Sequence, residues 1–211
     1  MKIFNTVALF GILLTTGAGA QTTLKDACKN DFLIGAALNE SEFTGQNSNA
    51  VAIIKTQFNT ISPENVLKWE SVHPRPGEFD FTAADRYVEF GEKNKMFIIG
   101  HNLIWHNQTP RWVFQDDQGN PLGRHALLAR MREHIFTVVG RYKGKINGWD
   151  VVNEAVNEDG TLRESQWKKS SAKIICSKRI NSRRRPIRRR NFITTTFRWK
   201  ICRNKTARLR W

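Results

Sequence analysis

Short apolar runs alternate with longer amphipathic ones from Phe32 to about Trp167. Four of the short runs read as buried strands: FLIGAAL (32–38), a segment within FNTISPEN (58–65) that stops at Pro63, MFIIGHNLIW (96–105) and INGWDVVNE (146–154). Between the last two, RHALLARMREHIFTVVGRY (124–142) places Leu127, Leu128, Met131, Ile135 and Val138 on one face at helical spacing. AADRYVEFGEKNK (83–95) precedes the third strand in the same way. Strand–helix alternation of this kind predicts parallel strands joined by right-handed crossovers, hence an α/β fold. The pattern alone does not separate an open sheet from a closed barrel.

Polar residues gather where these strands end. Glu64, Asn65 and Lys68 follow the second strand, His101, Asn102 and Trp105 close the third, and Asn153 and Glu154 close the fourth. In parallel α/β folds the C-terminal strand ends form the face where ligands bind. Any one of these residues would serve equally well as a cap. Three successive strands ending in uncapped polar and aromatic groups favour a site.

Charge divides the chain. The formal net charge is +15, which as a whole-chain average would suit a polyanion binder. From Ser170 to Trp211, however, there are 4 Lys, 11 Arg and no Asp or Glu, so the last segment carries the whole excess. Met1 to Lys169 holds 19 basic and 19 acidic residues. The other end is separable as well. One Lys, an apolar run from Val7 to Leu14, and Ala18-Gly19-Ala20 before Gln21 predict a secretory signal over residues 1–20, too short for a stable membrane span. No other run is long and apolar enough to cross a bilayer, so a secreted or periplasmic protein is expected. Cys28, Cys176 and Cys202 form neither a disulfide framework nor a metal-ligand spacing.

Glu154 ends an apolar strand beside Asn153, with Trp149 and Trp105 near by in the pattern. A carboxyl in a partly apolar setting is harder to ionise and suits a general acid. With aromatic faces and several polar donors around it, a carbohydrate is the fitting substrate class.

WDVVNEAV (149–156), SPENVLKWESVHPRPGEFDF (62–81) and GHNLIWHNQTPRWV (100–113) together resemble the glycoside hydrolase family 10 endo-1,4-β-xylanases. The similarity runs from about Leu33 to Trp167. It implies a (β/α)8 TIM barrel of which only the first four β/α units are present, over residues 21–169, and retaining hydrolysis of internal β-1,4 bonds in xylan. By position, Glu154 matches the acid/base and Asn153 the residue that binds the sugar 2-OH. Glu64, Asn65 and Lys68 match the glycone-side cluster, which His101 and Trp105 complete. Xylan and xylo-oligosaccharides are the implied partners. No metal or cofactor is implied, since two carboxylates suffice for the chemistry. Another clan of barrel glycosidases also places Asn-Glu after its fourth strand; the ENVLKWE and HNLIWH pairings favour xylanase over cellulase.

The resemblance stops at residues 168–170, and the family's nucleophile motif, T-E-L-D or similar, does not occur. Shifted by one base, the codons of RPIRRRNFITTTF (185–197) are compatible with ADPAAELYYNDF, the family's fifth-strand region. One base lost from an A-run at Lys168–Lys169 would produce the shift. Residues 170–211 are thus expected to be an out-of-frame basic tail, disordered and unable to form later strands. The chain as written is expected to be inactive, and the intact protein a monomer. A noncatalytic xylan-binding remnant is the alternative function. A basic nucleic-acid-binding arm is a further one, although nucleic acid is not an expected partner.

Overall fold

The computed structural model describes residues 22–171 and 191–193. The chain runs α1 (Leu24–Ala27), β1 (Gly35–Leu38), α2 (Glu40–Phe43), α3 (Ser48–Gln57), β2 (Thr60–Pro63), α4 (Trp69–Val72), α5 (Thr82–Lys93) and β3 (Phe97–Ile104). A 3-10 turn at Arg111–Val113 leads to α6 (Arg124–Arg141), β4 (Gly148–Val152), α7 (Gln166–Ser171) and β5 (Asn191–Ile193). The strands form one sheet in sequential order, and every neighbouring pair is parallel. The expected α/β alternation is therefore present.

Local sequence explains where these elements start. Asn39 and Glu42 form a reciprocal capping box at α2: Asn39 Oδ1 accepts from the Ser41 N–H at 3.0 Å, and the Asn39 N–H donates to Glu42 Oε2 at 2.8 Å. That turn buries Phe43 edge-on against Tyr87, with ring centroids 5.8 Å apart. Helix α3, which the apolar pattern did not single out, is capped by Asn47. Helix α5 buries Ala84, Tyr87, Val88 and Gly91, an i, i+3, i+4, i+7 stripe. The Tyr87 hydroxyl lies 2.9 Å from the carbonyl oxygens of both Ile61 and Ile99 and pins the helix across β2 and β3. Gly91 lets the helix approach closely, since a Cβ there would stand 2.5 Å from Ile98 Cγ1.

Three expectations need correcting. The first strand begins at Gly35 rather than Phe32; Phe32 and Leu33 are 61% and 51% exposed. The buried stripe of α6 is Leu127, His134 and Val138, while Leu128, Met131 and Ile135 are only half-buried. A hydropathy pattern does not find a buried imidazole. The expectation of no further strand fails at Asn191–Ile193, where Gly148, Trp149 and Asp150 of β4 pair with Asn191, Phe192 and Ile193. The tail's average charge hides a local uncharged run, NFITTTF, rich in β-formers. The edge of β4 offers that run unpaired backbone groups. The rest of the expected tail, and the expected signal over residues 1–20, lie outside the described residues.

Candidate active site

The C-terminal ends of β2, β3 and β4 bring together Glu64, Asn65, Lys68, His101, Trp105, Asn153 and Glu154, the residues singled out from the sequence. Glu154 is half-buried just beyond β4. Its Oε2 accepts a hydrogen bond from Trp105 Nε1 at 3.1 Å and lies 3.7 Å from His106 Nε2. Asn153, immediately before it, is buried, and its N–H donates to the Ile104 carbonyl at 2.8 Å, tying the end of β4 to the end of β3.

Lys68 sits at the start of α4, almost fully buried, with Nζ 4.0 Å from the centroid of the Trp105 ring. Such a cation–π contact is strengthened by exclusion of water. Burial pulls the Lys68 ammonium below the usual lysine range, while the surrounding Glu154, Glu70, Asp150 and Glu64 carboxylates oppose that shift. The lysine is thus the positive centre of an acidic strand mouth. Glu64 and Asn65 lie on the exposed rim. Asn65 Oδ1 accepts from Gln108 Nε2 at 3.2 Å, and Gln108 Nε2 also reaches Glu70 Oε1 at 3.1 Å.

His101 and Asp150 are direct partners in the parallel register of β3 and β4. Their side chains meet at 2.6 Å between Nδ1 and Oδ2. Asp150 is buried, so this contact fixes which face of the imidazole points to the cleft.

Trp149 departs from expectation. It is the second residue of β4, is 5% exposed, and packs over Gly100, where an added Cβ would fall 2.2 Å from Trp149 Cε3. It is core, not a sugar platform. Trp69 and Trp167 are also buried; Trp167 Nε1 donates to the Trp105 carbonyl at 2.7 Å and braces the aromatic that faces Glu154. The sequence pattern passed over His106, Gln108, Asp150 and Arg163. The first two stand in the GHNLIWHNQTPRWV motif, and Asp150 shares strand parity with Glu154, so part of that signal was present.

Chemically, the mouth offers a carboxyl held by an indole N–H, a buried amide, a lysine shielded by an aromatic face, and a carboxylate-oriented imidazole. Among the described residues no group of three or more His, Cys, Asp or Glu is arranged to hold a metal ion. Nor is any described helix long and apolar enough to cross a membrane. Sequential parallel strands with their polar residues at the C-terminal ends define a protein of the β/α-barrel class.

Comparison with known proteins narrows that class. The family model described as Glycosyl hydrolase family 10 matches residues 23–174, and the chain belongs to that family. It is 43% identical over 160 residues to endo-1,4-beta-xylanase A of Xylanibacter ruminicola, covering 75% of this chain and 43% of that protein. A beta-1,4-xylanase of Dictyoglomus thermophilum is 40% identical, over 78% of this chain and 47% of its own length. The solved structure of a GH10 endoxylanase from a sugarcane soil metagenome superposes with a TM-score of 0.66 at 48% identity, over 69% of this chain and 43% of that one. The chain thus spans less than half the length of these curated relatives.

Proposed function

We propose that the chain represents the N-terminal portion of a secreted endo-1,4-β-xylanase that works by retention. The observation that carries this reading is the placement of Glu154 beside Asn153 at the end of β4, hydrogen-bonded to Trp105. In the proposed reaction Glu154 protonates the leaving glycosidic oxygen while a second carboxylate attacks the anomeric carbon. Glu154 then removes a proton from the water that releases the glycosyl-enzyme. Asn153 holds the sugar 2-OH, and Glu64, Asn65, Lys68, His101 and Trp105 bind the glycone side. The relatives named as xylanases support xylan and its oligosaccharides as the substrate class.

Retention needs its two carboxyl groups about 5 Å apart. In this reading the second one lies on a later strand, in the frame that the shift at Lys168–Lys169 interrupts. One observation supports the frame hidden behind residues 170–211: the family match ends at residue 174, close to the A-run at Lys168–Lys169. Export through residues 1–20, a monomeric state and the absence of a nucleic-acid or membrane partner complete the proposal.

Restoring one base in the A-run at Lys168–Lys169 and assaying the product tests it. Xylan should be cleaved with retained anomeric configuration, and Glu154→Gln should lower turnover on the order of 10²–10⁴-fold. Cleavage of cellulose but not xylan, or no cleavage by the restored protein, would overturn the reading. The 211-residue chain itself should bind xylotriose without hydrolysing it, which is the noncatalytic alternative expressed in one molecule.

A further inference from the structure

Glu154 stands in a backbone conformation that needs support. Its φ is +50°, in the left-handed region. A non-glycine residue is strained there unless its surroundings hold it. Strand β4 has ended at Val152, and the chain turns away from the sheet through Glu154.

A closed hairpin follows. Val156 and Leu162 form an antiparallel bridge. The Asn157 N–H donates to the Thr161 carbonyl at 2.8 Å, and the Thr161 N–H donates to Asp159 Oδ1 at 2.9 Å. The hairpin delivers Arg163 back to the turn. Its backbone N–H donates to the Ala155 carbonyl at 2.9 Å, and its Nε donates to the Glu154 carbonyl at 3.0 Å. Among the described residues no carboxylate lies within ion-pair distance of Arg163. The guanidinium is therefore committed to the main chain of Glu154, not to its side chain.

We propose that Arg163 is a positioning residue for Glu154: it grips the Glu154 carbonyl and so fixes the left-handed turn that aims the carboxyl at Trp105 and His106. The inference rests on the reading of Glu154 as the acid/base. A charged donor on a carbonyl makes a stronger hydrogen bond than a neutral one, which suits a residue opposing backbone strain. The same charge has a second effect. Burial, then the Arg163 guanidinium, disfavour the protonated form of His106, against the pull of the Glu154 carboxylate.

The indole N–H of Trp105 reports on this arrangement, because it bonds directly to Glu154 Oε2. In nitrogen–proton correlation spectra of the full chain, Glu154→Gln should displace the Trp105 indole peak, which identifies it as the reporter. Arg163→Met should displace the Trp105 peak. The Trp112 indole, bonded to the Pro74 carbonyl, should stay in place. Arg163→Lys, which keeps a charged donor, should return the Trp105 peak part of the way to its wild-type position. It also serves as the informative variant if Arg163→Met fails to fold. A Trp105 peak left in place by Arg163→Met, or displaced as far by Arg163→Lys as by Arg163→Met, would overturn the proposal, as would equal displacement of the Trp112 and Trp105 peaks. Xylotriose added to the wild-type chain reads the proposed function separately: no response would sink that reading while leaving the Arg163 result standing.

Discussion

Gly100 and Lys68 show how single residues set up the strand mouth. Gly100 has no side chain because the Trp149 ring occupies that volume. Gly100→Ala is expected to destabilise the fold by about 1–3 kcal/mol, the usual cost of overpacking. A lowered midpoint in urea unfolding, with an unchanged slope, checks it. Lys68 neutralises the carboxylates around it and is held over Trp105. Lys68→Met keeps much of the stem packing but removes the charge and its donors. Xylotriose binding to the chain should weaken about tenfold, the equivalent of one charge-assisted hydrogen bond, as measured by calorimetry.

At the level of elements, the contact between α4 and α6 is built around buried aromatic groups. Trp69 stacks on His134 with centroids 3.7 Å apart, and His73 and His134 approach at 3.4 Å between their Nδ1 atoms. Neither Nε2 has a partner among the described residues. Burial holds the His73 imidazole down to about 4 and, together with neighbouring His73, the His134 imidazole down to about 3. The titratable groups in direct contact are thus each other, and both stay neutral when folded. The unfolded chain takes up protons first as pH falls below about 6.5. Stability from this pair is therefore full above that pH and is lost as pH falls toward 4 and then 3. Unfolding free energy should drop by a few kcal/mol between pH 7 and 4, since each tenfold difference in proton affinity between the two states is worth about 1.4 kcal/mol. His134→Phe, which retains the stack without a titrating group, should flatten that slope. A slope unchanged by the substitution would show that other groups carry the acid response.

Across the whole molecule, charge and fold separate along the chain. Residues 1–169 balance their acids and bases, whereas residues 170–211 carry the net +15. The 211-residue chain should bind DNA weakly and without sequence preference, with an affinity that falls steeply as salt rises. Deleting residues 170–211 should abolish that binding and leave xylotriose binding intact. Retention of DNA binding after the deletion would assign it to residues 1–169. The strand at Asn191–Ile193 qualifies the expectation for this region, because a short β-forming run found the edge of β4 despite the arginines before it.

Much of the architecture was legible in the residues: the order of strands and helices, the polar face at the strand ends, and Glu154, Asn153, Lys68, His101 and Trp105 meeting there. Periodicity reports which side of its own element a residue occupies, and strand direction then places the strand ends together. The pairings between elements came only with the folded chain. Register set His101 against Asp150, packing turned Trp149 into the core over Gly100, and a hairpin returned Arg163 to the carbonyl of Glu154. Such contacts join residues distant in sequence or brought back by a turn, and no local period encodes which partner a side chain will meet.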